Sequence, residues 1–130
     1  SETFASKFLT SRFGAGTQHI ALLSDDIFET SKILEASRFE RLQMPDGYYS
    51  DLKQKYGIAE DFVNKLQASN ILYTRNNGEY FQIYSAPIFD GFFFEIVERR
   101  DQYQGYGSRN ASARLAAQSN YKQADRTAYV

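Results

Sequence analysis

The sequence predicts an α+β fold with a mostly antiparallel sheet. Three strand-like runs follow one another between Ile71 and Arg99, joined by connections short enough for hairpins. Ahead of them, apolar residues recur at helical spacing, and one further strand-like run opens the domain.

That first strand spans Gln18 to Leu22, introduced by the Gly14-Ala15-Gly16 turn signal and ended at Ser24. A helix follows. Ser24 is its expected cap, Asp25 and Asp26 suit the positive end of the macrodipole, and Ile27, Phe28, Ile33 and Leu34 form its apolar stripe. It is expected to stop near Arg38. A short strand is predicted over Phe39 to Gln43, broken by Pro45 and Gly47. From Tyr48 to Asn70 the period is helical again, with Tyr48, Leu52 and Tyr56 four apart and Phe62 four before Leu66. Gly57 divides this stretch into two helices, and Asn70 stops the second.

Ile71 to Thr74 is the next strand, and Asn76-Asn77-Gly78 supplies the positive φ that a tight hairpin requires. The return strand is Glu79 to Ser85. Pro87, Asp90 and Gly91 mark a turn before Phe92 to Arg99, the longest predicted strand. A Gly and Tyr loop over Asp101 to Asn110 leads into a helix from Ala111 to about Ser119, with a frayed polar tail beyond. The chain lacks an initiator Met and reads as a piece of something longer. Residues 1–13 form an N-terminal extension, 14–100 one module, and 101–130 the lid loop, closing helix and tail.

Composition narrows the function. The 130 residues carry 15 basic and 16 acidic side chains, so no field recruits nucleic acid or an anionic membrane. The absence of cysteine excludes disulfide scaffolds, thiolate metal sites and thiol catalysis, and it fits a cytoplasmic location. No run approaches the roughly 20 apolar residues of a membrane span. With 11 Phe and 10 Tyr, most rings are expected to fill a core.

Few residues can carry chemistry. Glu95 lies within Phe92-Phe93-Phe94-Glu95-Ile96-Val97, where alternation puts Phe93, Glu95 and Val97 on one face and apolar residues on the other. A carboxylate in such a strand needs a metal, a basic partner or solvent. His19, the one histidine, is either a satisfied polar strand residue or a metal ligand. The chain cannot build a two-histidine, one-carboxylate iron site from its own side chains. It also lacks a nucleophile elbow, a phosphate loop and a dinucleotide fingerprint, and no residue stands out as catalytic. Gly105-Tyr106-Gly107 ahead of a helix is either an anion site or a closing loop.

Four motifs carry a family resemblance: Gly16-Thr17-Gln18-His19-Ile20-Ala21-Leu22, Leu42-Gln43-Met44-Pro45-Asp46-Gly47-Tyr48-Tyr49, Phe93-Phe94-Glu95-Ile96-Val97-Glu98-Arg99, and Gln104-Gly105-Tyr106-Gly107-Ser108-Arg109-Asn110. In that order they resemble the carboxyl-terminal part of the 4-hydroxyphenylpyruvate dioxygenases, in the vicinal oxygen chelate superfamily. The resemblance implies a β-α-β-β-β module with a curled sheet, in which His19 and Glu95 match two of three Fe(II) ligands. It implies substrate-side roles for Gln82, Tyr106 and Asn110.

The remaining histidine belongs, in that family, to a sister module upstream. The chemistry implied is binding of a small aromatic α-keto acid at Fe(II), dioxygen activation, decarboxylation and ring hydroxylation. Ala111, where the dioxygenases place phenylalanine, and the short Phe89-Asp90-Gly91-Phe92 connection look more like the dioxygenase-like domain fused to bacterial 3-dehydroshikimate dehydratases. The alternative implied is a non-catalytic binding or assembly module attached to such an enzyme. Without its sister module or fused domain, the sheet is expected to be covered by a homodimer.

Overall fold

The computed structural model describes residues 8–13, 17–88, 92–105 and 110–128. The turn signals at Gly14-Ala15-Gly16 and Asp90-Gly91, and the lid residues 106–109, lie outside the described residues. The elements are β1 (Phe8–Phe13), β2 (Thr17–Leu23), α1 (Ile27–Ala36), α2 (Asp46–Tyr56), α3 (Glu60–Ala68), β3 (Leu72–Arg75), β4 (Glu79–Tyr84), β5 (Phe93–Arg100) and α4 (Ala111–Ala128). The strands form one sheet in the order β1-β2-β5-β4-β3. Only β2 and β5 run parallel, and the other neighbouring pairs are antiparallel. A parallel pair needs a long crossover, which α1 to α3 and the β3–β4 hairpin provide.

Register sorts the side chains into two faces, because cross-strand partners share a face. His19 lies opposite Phe93, Ala21 opposite Glu95, Tyr84 opposite Glu95, Gln82 opposite Val97 and Tyr80 opposite Arg99. These residues define the site face. The other face carries Ile83 opposite Ile96 and Phe81 opposite Glu98. Helical rings cover it: Phe28 and Phe62 meet Phe81 edge-on at 5.9 and 6.3 Å, and Phe62 meets Tyr73 at 5.4 Å. Glu98 is buried there, accepting the Ile27 N–H at 2.7 Å and pairing with Arg100 at 2.6 Å. A carboxylate fits that place because the first N–H groups of a helix lack internal partners.

Several elements depart from expectation. Asp26, not Ser24, caps α1, its carboxylate accepting from the Phe28 and Glu29 N–H groups at 3.2 Å. The Ser24 hydroxyl instead accepts from Asp26 N–H and bonds to Thr30. The predicted strand over Phe39 to Gln43 reduces to one bridge, Arg41 with Ser85. The Arg41 guanidinium donates to the Ser31 and Ser69 carbonyls, which ties this segment to the helical layer. Within the N-terminal extension, β1 is a strand that pairs antiparallel with β2.

α4 runs nine residues past its predicted end at Ser119, to Ala128. Tyr121 anchors that extra length by donating to the Arg41 carbonyl at 3.1 Å. Asn110, Arg114, Ala117 and Tyr121 recur at spacings of four, three and four. They bring one face of α4 onto the sheet. Among the described residues, no helix is long and apolar enough to cross a membrane.

Candidate metal centre

β2 and β5 run side by side, and their pairing puts His19 and Glu95 diagonally adjacent on the site face. Both are buried, at 3% and 4% exposure, and His19 Nε2 stands 3.6 Å from Glu95 Oε2. The His19 ring lies nearly parallel to Phe93, with centroids 5.1 Å apart, which holds the imidazole edge toward the carboxyl group.

Burial lowers the His19 pKa, with the Arg114 charge adding to the effect, which favours the neutral imidazole. Burial raises the Glu95 pKa; hydrogen bonds from Gln82 and Tyr80 and the charges of Arg114 and Arg99 act against it. Two hydrogen-bond donors reach Glu95 Oε1: the Tyr80 hydroxyl at 3.3 Å and the Gln82 amide at 3.4 Å.

Gln82, fully buried on β4, is the hub of a polar network. Its Nε2 donates to the Tyr84 hydroxyl at 2.6 Å, and its Oε1 accepts from Asn110 Nδ2 at 2.7 Å. The same Asn110 amide donates to Thr74 Oγ1 at 3.0 Å. Asn110 Oδ1 accepts from the Tyr48 hydroxyl at 3.0 Å, and that hydroxyl accepts the Tyr73 N–H at 2.9 Å. The chain thus brings together His19, Gln82, Glu95 and Asn110, all singled out in the sequence. Tyr106 lies outside the described residues.

Sequence reasoning passed over Tyr80, Tyr84 and Arg114. The period-two pattern Tyr80-Phe81-Gln82-Ile83-Tyr84 held the signal for both tyrosines, and the four-residue step from Asn110 held it for Arg114.

Whether these donors suit a cation is a matter of spacing and chemistry. Two ligands about 2.1 Å from a first-row cation lie about 3 Å apart when adjacent, and somewhat farther in tetrahedral geometry. The 3.6 Å separation is close to that range, and a neutral imidazole with a carboxylate is a borderline-hard pair suited to Fe(II) or another divalent metal. His19 and Glu95 fit as two donors of one site. Among the described residues, no group of three histidines and acids gathers, so a third side-chain ligand of that kind is not among them.

No protein-family model matches the chain. It is 39% identical over 111 residues to the 3-dehydroshikimate dehydratase of Pseudomonas putida, covering 84% of this chain and 18% of that protein. It is 34% identical over 115 residues to the 4-hydroxyphenylpyruvate dioxygenase of Legionella pneumophila, covering 85% of this chain and 33% of that protein. A solved fusion of a xylose isomerase-like TIM barrel with a 4-hydroxyphenylpyruvate dioxygenase superposes with a TM-score of 0.76 at 37% identity, covering 79% of this chain and 17% of its own. The fold is that of the vicinal oxygen chelate proteins. Within that class, the chain is homologous to part of the 4-hydroxyphenylpyruvate dioxygenases and to part of the 3-dehydroshikimate dehydratases. It spans about a fifth to a third of the length of these relatives.

Proposed function

We propose that the chain is the carboxyl-terminal module of a non-haem Fe(II) oxygenase related to 4-hydroxyphenylpyruvate dioxygenase, and that it supplies part of the metal and α-keto acid site. The supporting observation is the convergence of His19 and Glu95 at 3.6 Å on one buried face. Fe(II) bound there would supply chelation of the keto acid and activation of dioxygen. The third protein ligand comes from a sister module or a fused domain. Gln82, Asn110 and Tyr106 are assigned to the substrate side, where the small aromatic α-keto acid binds, with the Gln82–Asn110 amide network backing that side of the site. The stacked Phe93 ring keeps the imidazole in place, and burial keeps water from competing at the carboxyl group. A cytoplasmic location accords with this reading.

Metal content provides the test. After loading with Fe(II) under anaerobic conditions, the full-length protein is expected to retain iron, and His19→Ala and Glu95→Gln to lose most of it. Unchanged iron in both variants removes these residues from the ligand set.

A second reading, a binding or assembly module attached to a dehydratase, is favoured by the 39% identity to a 3-dehydroshikimate dehydratase. Keto-acid-dependent oxygen uptake by the full-length protein supports the first reading. Its absence from an iron-loaded sample supports the second.

A further inference from the structure

Arg114 is a buried cation that the reading above leaves without a task. It lies on the face of α4 that meets the sheet, and only 6% of its surface is exposed. Its guanidinium carbon is 4.9 Å from the Phe93 ring centroid and 5.8 Å from that of Tyr84. Phe93 stacks on His19 and Tyr84 accepts from Gln82, so the cation borders the metal centre itself.

The other well-placed arginines are provided for. Arg41 donates to the Ser31 and Ser69 carbonyls, Arg99 to the Gly105 carbonyl, and Arg100 pairs with Glu98. Arg114 makes one hydrogen bond among the described residues, from Nη1 to the neutral Gln118 amide oxygen at 3.0 Å. No Asp or Glu among the described residues forms an ion pair with it.

A guanidinium keeps its charge and offers five N–H donors, so most of its hydrogen-bonding capacity is left over. The faces of Phe93 and Tyr84 offset part of the cost of burying the charge but take up none of those donors. Among the described residues, none of its nitrogens is both sealed from solvent and unbonded.

We propose that Arg114 is the anion receptor of this site, a specificity-determining residue that takes the carboxylate of a small aromatic acid. A planar fork of N–H groups matches a carboxylate in two parallel bonds. The guanidinium carries a single positive charge, which a monocarboxylate matches one for one. The inference rests on reading this face as a ligand site and narrows its ligand to an anion.

The test uses metal-stripped full-length protein in chelator, titrated by calorimetry with phenylacetate and with phenylacetamide, its neutral isostere. Neither probe has the keto group that would chelate a metal. Phenylacetate is expected to bind at least about tenfold more tightly than the amide, in line with a charge-assisted pair. Arg114→Gln is expected to bring that ratio to near one, and Arg114→Lys to retain part of it. Circular dichroism establishes that each variant is folded, and Arg114→Met stands in for Arg114→Gln should the latter not fold.

Equal binding of acid and amide, no binding of the acid up to about 10 mM, or an unchanged ratio without the arginine overturns the proposal. Neither iron nor dioxygen takes part, so this failure leaves the iron measurement on His19→Ala standing. Loss of the iron result likewise leaves the acid preference to be judged alone.

Discussion

Two buried acids three residues apart on β5 show how differently the same side chain can be used. Glu95 on the site face accepts hydrogen bonds from a hydroxyl and an amide, and burial raises its pKa. Glu98 on the opposite face bonds the Ile27 N–H of α1 and pairs with Arg100. The first arrangement costs stability in metal-free protein, and the second provides it. Glu98→Ala is therefore expected to lower unfolding stability by about 2 kcal/mol, because it leaves a helix N–H and a guanidinium short of an acceptor. Glu95→Gln in metal-free protein is expected to shift stability by less than about 0.5 kcal/mol or to raise it, since a buried carboxyl becomes a neutral amide. Urea midpoints at neutral pH check both, and a large loss for Glu95→Gln would make that residue structural. Glu95 was legible in the sequence because phenylalanines flank it. Glu98 was not, since its partner at Ile27 lies 71 residues away and local pattern says nothing about which helix start a strand will meet.

At the scale of elements, local chemistry was legible where it acts alone. Gly57 ends α2 in the left-handed region at φ 62°, and Asn77 and Gly78 turn the β3–β4 hairpin with positive φ, as their residue types require. Nothing lies within 4 Å of a Cβ built at Gly57, so conformational strain is the whole cost of a side chain there. Gly57→Ala is expected to lower stability by about 1 kcal/mol, and Gly57→Asn by less than half of that, because asparagine tolerates this region. Equal losses for the two variants, measured by chemical denaturation, would point to a clash instead of strain. Elements set by distant contacts were not legible. Phe39 to Gln43 has strand-like residues, but Arg41 is drawn to carbonyls of the helical layer and one bridge remains. The tail after Ser119 looks polar and frayed, yet Tyr121 reaches the Arg41 carbonyl and α4 continues.

Across the whole molecule, the aromatic load ties the helical layer to the sheet through phenols that are hidden from water. Tyr49 is buried and donates to the Ile71 carbonyl, while Tyr48 links α2 to both β3 and Asn110. Burial raises the pKa of Tyr48 and Tyr49 well above the usual phenol value of 10.0, and it pushes Tyr73 up to about 12, helped by its bond to Glu79. In the unfolded chain these groups ionise near 10.0, whereas in the folded chain they hold their protons to higher pH. Below that value both states carry the same protons and these tyrosines add no pH dependence. Above it the unfolded state sheds protons first, so unfolding is favoured and stability falls as pH rises. Stability is therefore expected to be insensitive to these groups up to about pH 10 and to drop steeply beyond it, with phenolate absorbance and loss of helical circular dichroism appearing together. Tyr49→Phe is expected to make that drop shallower, since one phenol fewer releases its proton on unfolding, at the cost of leaving the Ile71 carbonyl without its donor. Phenolate absorbance from every tyrosine near pH 10 in a protein that keeps its helical signal would show that these rings are open to solvent, and that packing of the helices on the sheet does not depend on their staying neutral.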